Sequence, residues 1–497
     1  MKPQVDVLLT NRWATFNCDP EIQVRLKRYF RYEAPGSHFS EAFRTGQWDG
    51  FHYLLQRGRV SAALFNQRQK ELAKKFDLRI SDHRQIPKFK DLASEGLRPY
   101  QIAGLKQMIA ASSSGGIVLV ATGAGKTRMA GAYFKRLIGA GVFICDELAL
   151  LEQSRKALEA EIGEEIGVVG QGKFNPARIT VATSQTLHRH RNKKEFRKWF
   201  KTIAVTITDE LHVEINQRSV EIIQQIAPQA SFGLTATLEL EKAHIRFPAI
   251  ALYGPVVFRY PIHEGVEEGY LSRGVVCQVE FWDPLVGKAP AYATVAAGGD
   301  GLETKVWIEA GSPPAEYRRR ICLNKARNES IEGIIREGLK RGRKVVCLVD
   351  WKLHLKTLDR RFQDIPHYSL SGEVQSSTRL EAMKKMDTGE LSLILASKVF
   401  AKGVDVSTVD MILDASGLPS RNNALQRYGR GTRKGKGKSG LIYIDIADRG
   451  NCFSSASHAR LSALRQIKAP ILTISWNHNP ETILDQSLAV LSSSTSS

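Results

Sequence analysis

The sequence predicts an α/β protein: two tandem parallel-sheet domains behind a small α+β N-terminal domain. Three observations carry that expectation. From about residue 97 short β-rich runs alternate with helical stretches, the pattern of a parallel sheet covered by helices on both faces. After a Gly-, Ala- and Pro-rich stretch at 285–315, which reads as a loop or insertion, the alternation starts again. The first ninety residues mix basic and aromatic side chains without that rhythm. The expected domains are residues 1–90, 91–265 and 266–470, followed by a polar, frayed tail over 471–497.

The elements follow in order. "GGIVLVATGAGKT" (115–127) reads as strand, loop and helix start, and "RMAGAYFKRLI" (128–138) continues the helix. "VFIC" (142–145) is the next strand and "LALLEQSRKALEAEI" (148–162) the next helix. Further strands are expected in "RITVATS" (178–184), "IAVTITDE" (203–210) and "ASFGLTAT" (230–237). The second block supplies "KVVCLVD" (344–350), "HYSLSG" (367–372), "LSLILAS" (391–397), "VDMILDAS" (409–416) and "GLIYIDIAD" (440–448).

The bulk numbers narrow the class. At 497 residues the chain is too long for one core. No apolar stretch approaches the roughly 18 residues of a membrane span, and the N-terminus lacks the apolar run of a signal peptide. Six scattered cysteines, none in a C-x-x-C pair, argue against a zinc site or a disulfide framework and fit a reducing cytoplasm. A net charge of +20 calls for a polyanionic partner, nucleic acid being the commonest. Membrane-surface binding gives similar totals, so charge alone does not decide.

The chemistry is concentrated in "ATGAGKT" (121–127), which follows an apolar strand and opens a helix. Gly123 and Gly125 let the backbone of Thr122–Thr127 curl so that its N–H groups, including that of Ala124, face phosphates. Lys126 then reaches the β- and γ-phosphates, and the Thr127 hydroxyl reaches Mg²⁺. The strict phosphate-loop pattern wants Gly at 120, where this chain has Val120. The bland alternative is a glycine-rich turn with a surface lysine. Such a loop needs a carboxylate for its metal, and two strings offer one: "ICDEL" (144–148) and "ITDEL" (207–211).

The ordered set "LRPYQ" (97–101), "ATGAGKT", "VATSQTL" (181–187), "DELH" (209–212), "LTAT" (234–237), "LILASKVFAKGVDV" (393–406) and "QRYGRGTR" (426–433) resembles superfamily 2 helicases over residues 95–450. The resemblance implies two RecA-like domains, with ATP and Mg²⁺ as cofactors. It implies that Asp209 holds the metal, that Glu210 orients and deprotonates the attacking water, and that His212 couples the site to Thr235 and Thr237. Gln101 would read adenine. Arg430 and Arg433 would act on the γ-phosphate with Gln426 nearby, and Gly403 and Asp405 would link nucleotide to nucleic acid. Gln153, Thr183 and Ser397 would contact nucleic acid. In "ICDEL", Asp146 and Glu147 stand where the family usually has Pro-Thr; carboxylates beside a helix N-terminus are stabilising there without any metal.

The strip "HRHRNKKEFRKWFK" (188–201) could serve phosphate contacts or form a solvated helix with one apolar face. The N-terminal "YEAPGSHFSEAFRTGQWDGFHYLL" (32–55) resembles the corresponding domain of phage UvsW-type helicases. That likeness implies branched or forked DNA as partner, with Trp48 in contact. It also implies single-strand-binding or recombination proteins nearby, and a cytoplasmic site (the host's, if phage-encoded). An RNA helicase, a non-catalytic nucleic-acid-binding protein with a relic ATP site, and a small-molecule kinase are the competing readings.

Overall fold

The computed structural model describes residues 2–493 apart from 94–95, 147, 212–216, 283–291, 297–302, 308–312, 398–406, 420 and 436. The chain divides into two compact units, Met1–Pro261 and Ile262–Ser497.

The first unit begins with a four-stranded sheet in the order Arg59–Ser61, Trp13–Asn17, Gln4–Leu9, Asp77–Asp82. Gln4–Leu9 alternates exposed and buried residues along its length, the period-2 signature of a strand with one face on a core. Its Val5, Val7 and Leu9 pack with Phe16 and with Leu64, Phe65 and Leu72 of the helix Ala62–Lys75. Phe247 and Ile250 of the helix Ala243–Tyr253 join the same core. Tyr32 stacks on Phe247 at 5.8 Å, the Arg12 guanidinium donates to the Gln224 carbonyl, and Asn11 Nδ2 donates to that of Gln229 (2.9 Å). The N-terminal domain thus shares its core with the domain that follows.

That following domain is built on an eight-stranded sheet ordered Lys173–Asn175, Gly167–Gly170, Ile179–Thr183, Ala140–Cys145, Ile203–Thr208, Ala230–Thr235, Gly116–Val120, Val256–Tyr260. All neighbours run parallel except the short edge hairpin of the first two. Every residue of Gly116–Val120 and of Ile179–Thr183 is buried, as expected of strands covered on both faces. In the basic strip, Phe196, Trp199 and Phe200 of the helix Lys194–Phe200 are buried against Val142, Ile144 and Leu187. The aromatics are core, and only the charged face meets solvent.

The second unit carries a seven-stranded, all-parallel sheet. Its order is His367–Leu370, Leu393–Ala396, Val345–Leu348, Met411–Asp414, Leu441–Arg449, Gly274–Trp282, Ile471–Ser475. The tail expected over 471–497 is folded as far as Ser493, and 494–497 lie outside the described residues. Ile471–Ser475 pairs with Gly274–Trp282, and the helix Pro480–Ser493 buries Ile483, Leu484 and Leu491. The β-branched run "ILTI" and the apolar spacing of the helix outweigh the polar serines. Within the expected insertion, Tyr292–Ala296 and Glu303–Trp307 pair as an antiparallel ribbon.

Candidate active site

The loop 121–125 leaves the fully buried strand Gly116–Val120 and enters the helix Lys126–Arg136. Gly123 and Gly125 have φ of 85° and 83°, left-handed values that side-chain-bearing residues seldom adopt. A Cβ on Gly125 would also lie 2.5 Å from Gln101 Nε2. The loop is braced from behind. The Tyr100 hydroxyl and Gln101 Nε2 both donate to the Ala124 carbonyl (2.7 and 3.2 Å), and Gln101 Oε1 accepts from the Arg98 N–H (3.0 Å). Tyr100 stacks on Tyr260 with centroids 3.8 Å apart. Tyr260 ends the strand Val256–Tyr260, which the sequence reading overlooked.

The carboxylates come from the strand Ile203–Thr208. Two strands over from the loop's strand, it ends at the same edge of the sheet. The Asp209 N–H donates to the Ile144 carbonyl (2.9 Å), and Asp209 Oδ1 accepts from the Glu210 N–H (3.0 Å). Glu210 has φ 50°, a left-handed conformation that costs a non-glycine residue on the order of 1 kcal/mol. Its Oε1 lies 3.7 Å from Lys126 Nζ, with the two side chains 23% and 9% exposed. Ala230–Thr235 runs between the two strands, so "LTAT" sits between the phosphate loop and the acidic tip. There the Thr235 hydroxyl donates to the Thr237 carbonyl (2.9 Å) and accepts from the Thr237 N–H (3.3 Å).

The second acidic string ends the next strand outward. Ile144 pairs with Thr208, which sets Asp146 level with Glu210 but three strands from the phosphate loop. At about 4.8 Å per strand that is ~14 Å, against ~10 Å for Asp209. Glu147 lies outside the described residues.

The donor set fits magnesium-bound triphosphate: backbone N–H groups of a helix start and Lys126 on one side, Thr127 and Asp209 on the other. The Thr122 hydroxyl, buried with no hydrogen-bond partner among the described residues, is a further donor at the loop. Among the described residues no group of three or more His, Cys, Asp or Glu is set to hold a metal.

In the second unit, the helix Arg421–Gly431 carries Gln426 and Arg430, with Arg433 two residues beyond it. Gln426 is buried, and both arginines are partly buried. Sequence reasoning missed what anchors this helix. Arg427, on the turn between them, is buried and donates from Nη1 to both oxygens of Asp414 (2.6 Å each) and to Ser416 Oγ (2.6 Å). Asp350 lies 3.9 Å from its Nη2. Asp350 Oδ2 in turn accepts from the Tyr317 hydroxyl and from the Gly417 and Leu418 N–H groups. An Asp closing the strand "MILD" and an Arg inside "QRYGR" were the available signals.

The remaining candidates scatter. Gln153 is exposed on the helix Leu148–Ile162. Thr183 is fully buried; its hydroxyl caps the helix Ser184–His190 and donates to Thr186 Oγ1 (2.8 Å). Ser397 is buried at a strand end. Trp48 is half-buried with its indole N–H donated to the Phe51 carbonyl (3.0 Å). His212, Gly403 and Asp405 lie outside the described residues.

Comparison with known proteins adds to this geometry. Three family models match: the type III restriction enzyme res subunit over residues 94–240, the helicase conserved C-terminal domain over 327–435, and the N-terminal domain of the DNA helicase UvsW over 9–82. The DNA 3'-5' translocase XPB2 of Sulfurisphaera tokodaii is 24% identical over 405 residues, covering 77% of this chain and 88% of that protein. The ATP-dependent DNA helicase uvsW of Enterobacteria phage T4 is 22% identical over 476 residues, covering 87% and 88%. In fold, a fragment of a putative HsdR subunit from Vibrio vulnificus YJ016 matches with TM-score 0.54 and 18% identity over 76% of this chain and 69% of that one. The restriction-enzyme and helicase C-terminal models, matched in tandem beside ATP-dependent relatives, make the chain a superfamily 2 DNA helicase that hydrolyses ATP. Within that superfamily the chain is of the UvsW-like kind, as its N-terminal domain indicates.

Proposed function

We propose that the chain couples ATP hydrolysis to movement on DNA and remodels branched duplexes such as forks and four-way junctions. Lys126 exchanges its pairing with Glu210 for a phosphate oxygen, which leaves the Glu210 carboxylate able to take the proton of the attacking water. Thr127 and Asp209 would hold the metal, and Gln101 keeps the loop in shape. Arg430 and Arg433 add positive charge at the departing phosphate, while Thr235 and Thr237 carry the change of state outward. Bound ATP supplies the reacting phosphoryl group, and magnesium neutralises its charge.

The observation that carries the reading is the shared core. The UvsW-like N-terminal domain is packed through Phe247 and Ile250 on the helix Ala243–Tyr253, which begins six residues after Thr237. A domain fixed at that point moves with the ATPase centre. Removing residues 1–90 would bare both side chains, so point substitutions test it better than truncation.

The test is an ATPase panel with single-stranded, duplex, forked and four-way DNA beside RNA, with the Glu210→Gln protein as background. Forked or four-way DNA is expected to stimulate most, and RNA to leave the rate at its basal level. Stimulation by RNA equal to that by forks would replace this reading with an RNA helicase. No response to any nucleic acid would remove the motor reading.

A further inference from the structure

Two crevices of about 950 Å³ each flank the turn Gln56–Arg59 of the N-terminal domain, and both are lined by Leu54, Gln56 and Arg57. One extends past Arg31, Lys27 and Arg28. The other passes Arg59 and Arg12 and runs down to Ser114 and Ser231 of the adjoining motor domain. Asp49 is the sole carboxylate among the residues lining either. It is engaged already, accepting from the Tyr53 hydroxyl (2.5 Å) and lying 3.9 Å from Arg31. Lys27, Arg28, Arg57 and Arg59 are exposed and form no ion pair among the described residues.

The turn itself is unusual. Gln56 and Arg59 exchange two backbone hydrogen bonds of 2.9 Å, with Arg57 at φ 48° and Gly58 at φ 73° between them. This is the two-residue hairpin that favours Asn-Gly. An arginine stands where the left-handed backbone is better served by Asn, which places a cation at the crest between the crevices. Two further cations are fixed in place. Arg31 lies 3.8 Å over the Phe51 ring and donates to the Tyr53 hydroxyl (3.2 Å); Arg12 lies 4.5 Å over Trp13. Burial, and after it the charge of Arg59, lower the Arg12 guanidinium to about 10.

We infer that Arg28, Arg31, Arg57, Arg59 and Arg12 form one continuous track for the sugar–phosphate backbone of DNA, crossing the turn Gln56–Arg59 from one crevice to the other. A compact anion would fill one crevice; only a polymer of anions occupies both and passes over Arg57. Aromatic faces at Tyr53 and Trp13 beside the cations suit sugars and bases. The track lies at the opposite edge of the motor sheet from the phosphate loop. Ser114 and Ser231 stand at the starts of Gly116–Val120 and Ala230–Thr235, whose far ends, about 17 Å away, lead to the nucleotide site. It therefore holds a segment of DNA remote from the ATPase cleft, as a second arm of a branched substrate would be.

This inference rests on the DNA reading above and adds a second contact surface to it. The test is fluorescence anisotropy of labelled forked DNA against the full chain over a series of KCl concentrations. The variant R28A/R57A/R59A alters exposed side chains only, and an unchanged melting temperature verifies its fold. It is expected to bind about 10–100-fold more weakly, with the slope of log K against log salt reduced by about two to three. R28K/R57K/R59K, which keeps the charges, is expected to keep most of the affinity. Unchanged affinity and slope in the alanine variant, beside a wild type that binds and is stimulated by forks, would overturn the track alone. An equal loss in the lysine variant would overturn the role of charge, and with it the proposal. Failure of the wild type to bind DNA would bring down both readings.

Discussion

Glu210→Gln is expected to lower ATP turnover by about 10²- to 10⁴-fold, the usual worth of a positioned general base, while ATP still binds. The amide keeps the size and reach of the side chain beside Lys126, from which Glu210 Oε1 stands at 3.7 Å. It cannot accept a proton from water. The residue's φ of 50° fixes the direction of the side chain, and glutamine fits that backbone no worse than glutamate. Phosphate release under saturating ATP measures the first quantity, and fluorescence of a labelled ATP analogue the second. Turnover within tenfold of wild type would remove Glu210 from the mechanism. Loss of nucleotide binding would show that the residue shapes the site rather than acting in it.

Arg427→Met is expected to destabilise the second unit by about 3–5 kcal/mol, because it leaves the Asp414 carboxylate buried without its cation. For a unit of this size the melting temperature should fall by roughly 10 °C. ATPase should fall with it, since the helix Arg421–Gly431 that carries Gln426 and Arg430 loses its anchor. The double variant Arg427→Met/Asp414→Asn removes the stranded charge and should recover part of the stability. A single variant as stable as wild type would mean that the pair contributes nothing. Acid probes the same pair. Burial pushes the Asp414 carboxyl up, but Arg427 and Arg460 outweigh it and hold the group down at about 2. A depressed carboxylate stabilises the fold above its unfolded value near 4 and loses that contribution as pH falls toward about 2. This acid-sensitive step should shrink in Arg427→Met.

Much of the fold was legible because parallel strands buried on both faces read as short apolar runs. "GIVLV", "ITVAT" and "LILA" could be placed from composition and spacing alone. The strands that escaped include Val256–Tyr260 and Gly274–Trp282. The helices before them read weakly, because Ala243–Tyr253 contains Pro248 and Ile262–Glu267 spans only 6 residues. The C-terminal helix was misread because serine-rich composition resembles a frayed end, although Ile483, Leu484 and Leu491 share one face. The aromatics of the basic strip could be resolved only by burial. Phe196 and Trp199 look alike as core or as platform until the neighbouring Val142 and Ile144 are in place.

By itself the sequence determined the local chemistry: a glycine loop after a strand, a lysine at a helix start, two carboxylates at a strand tip and two arginines a turn apart. Each depends on residues adjacent in the chain, so spacing is enough to find it. The tertiary structure sets how far each acidic string lies from the loop. "ICDEL" and "ITDEL" end neighbouring strands, and they differ only in how far those strands lie from Gly116–Val120 in the sheet. It also decided that the N-terminal domain shares a core with the helix after "LTAT", and that Arg57 crests a path between two crevices. Strand order and long-range packing set these, and neither is written in the spacing of nearby residues.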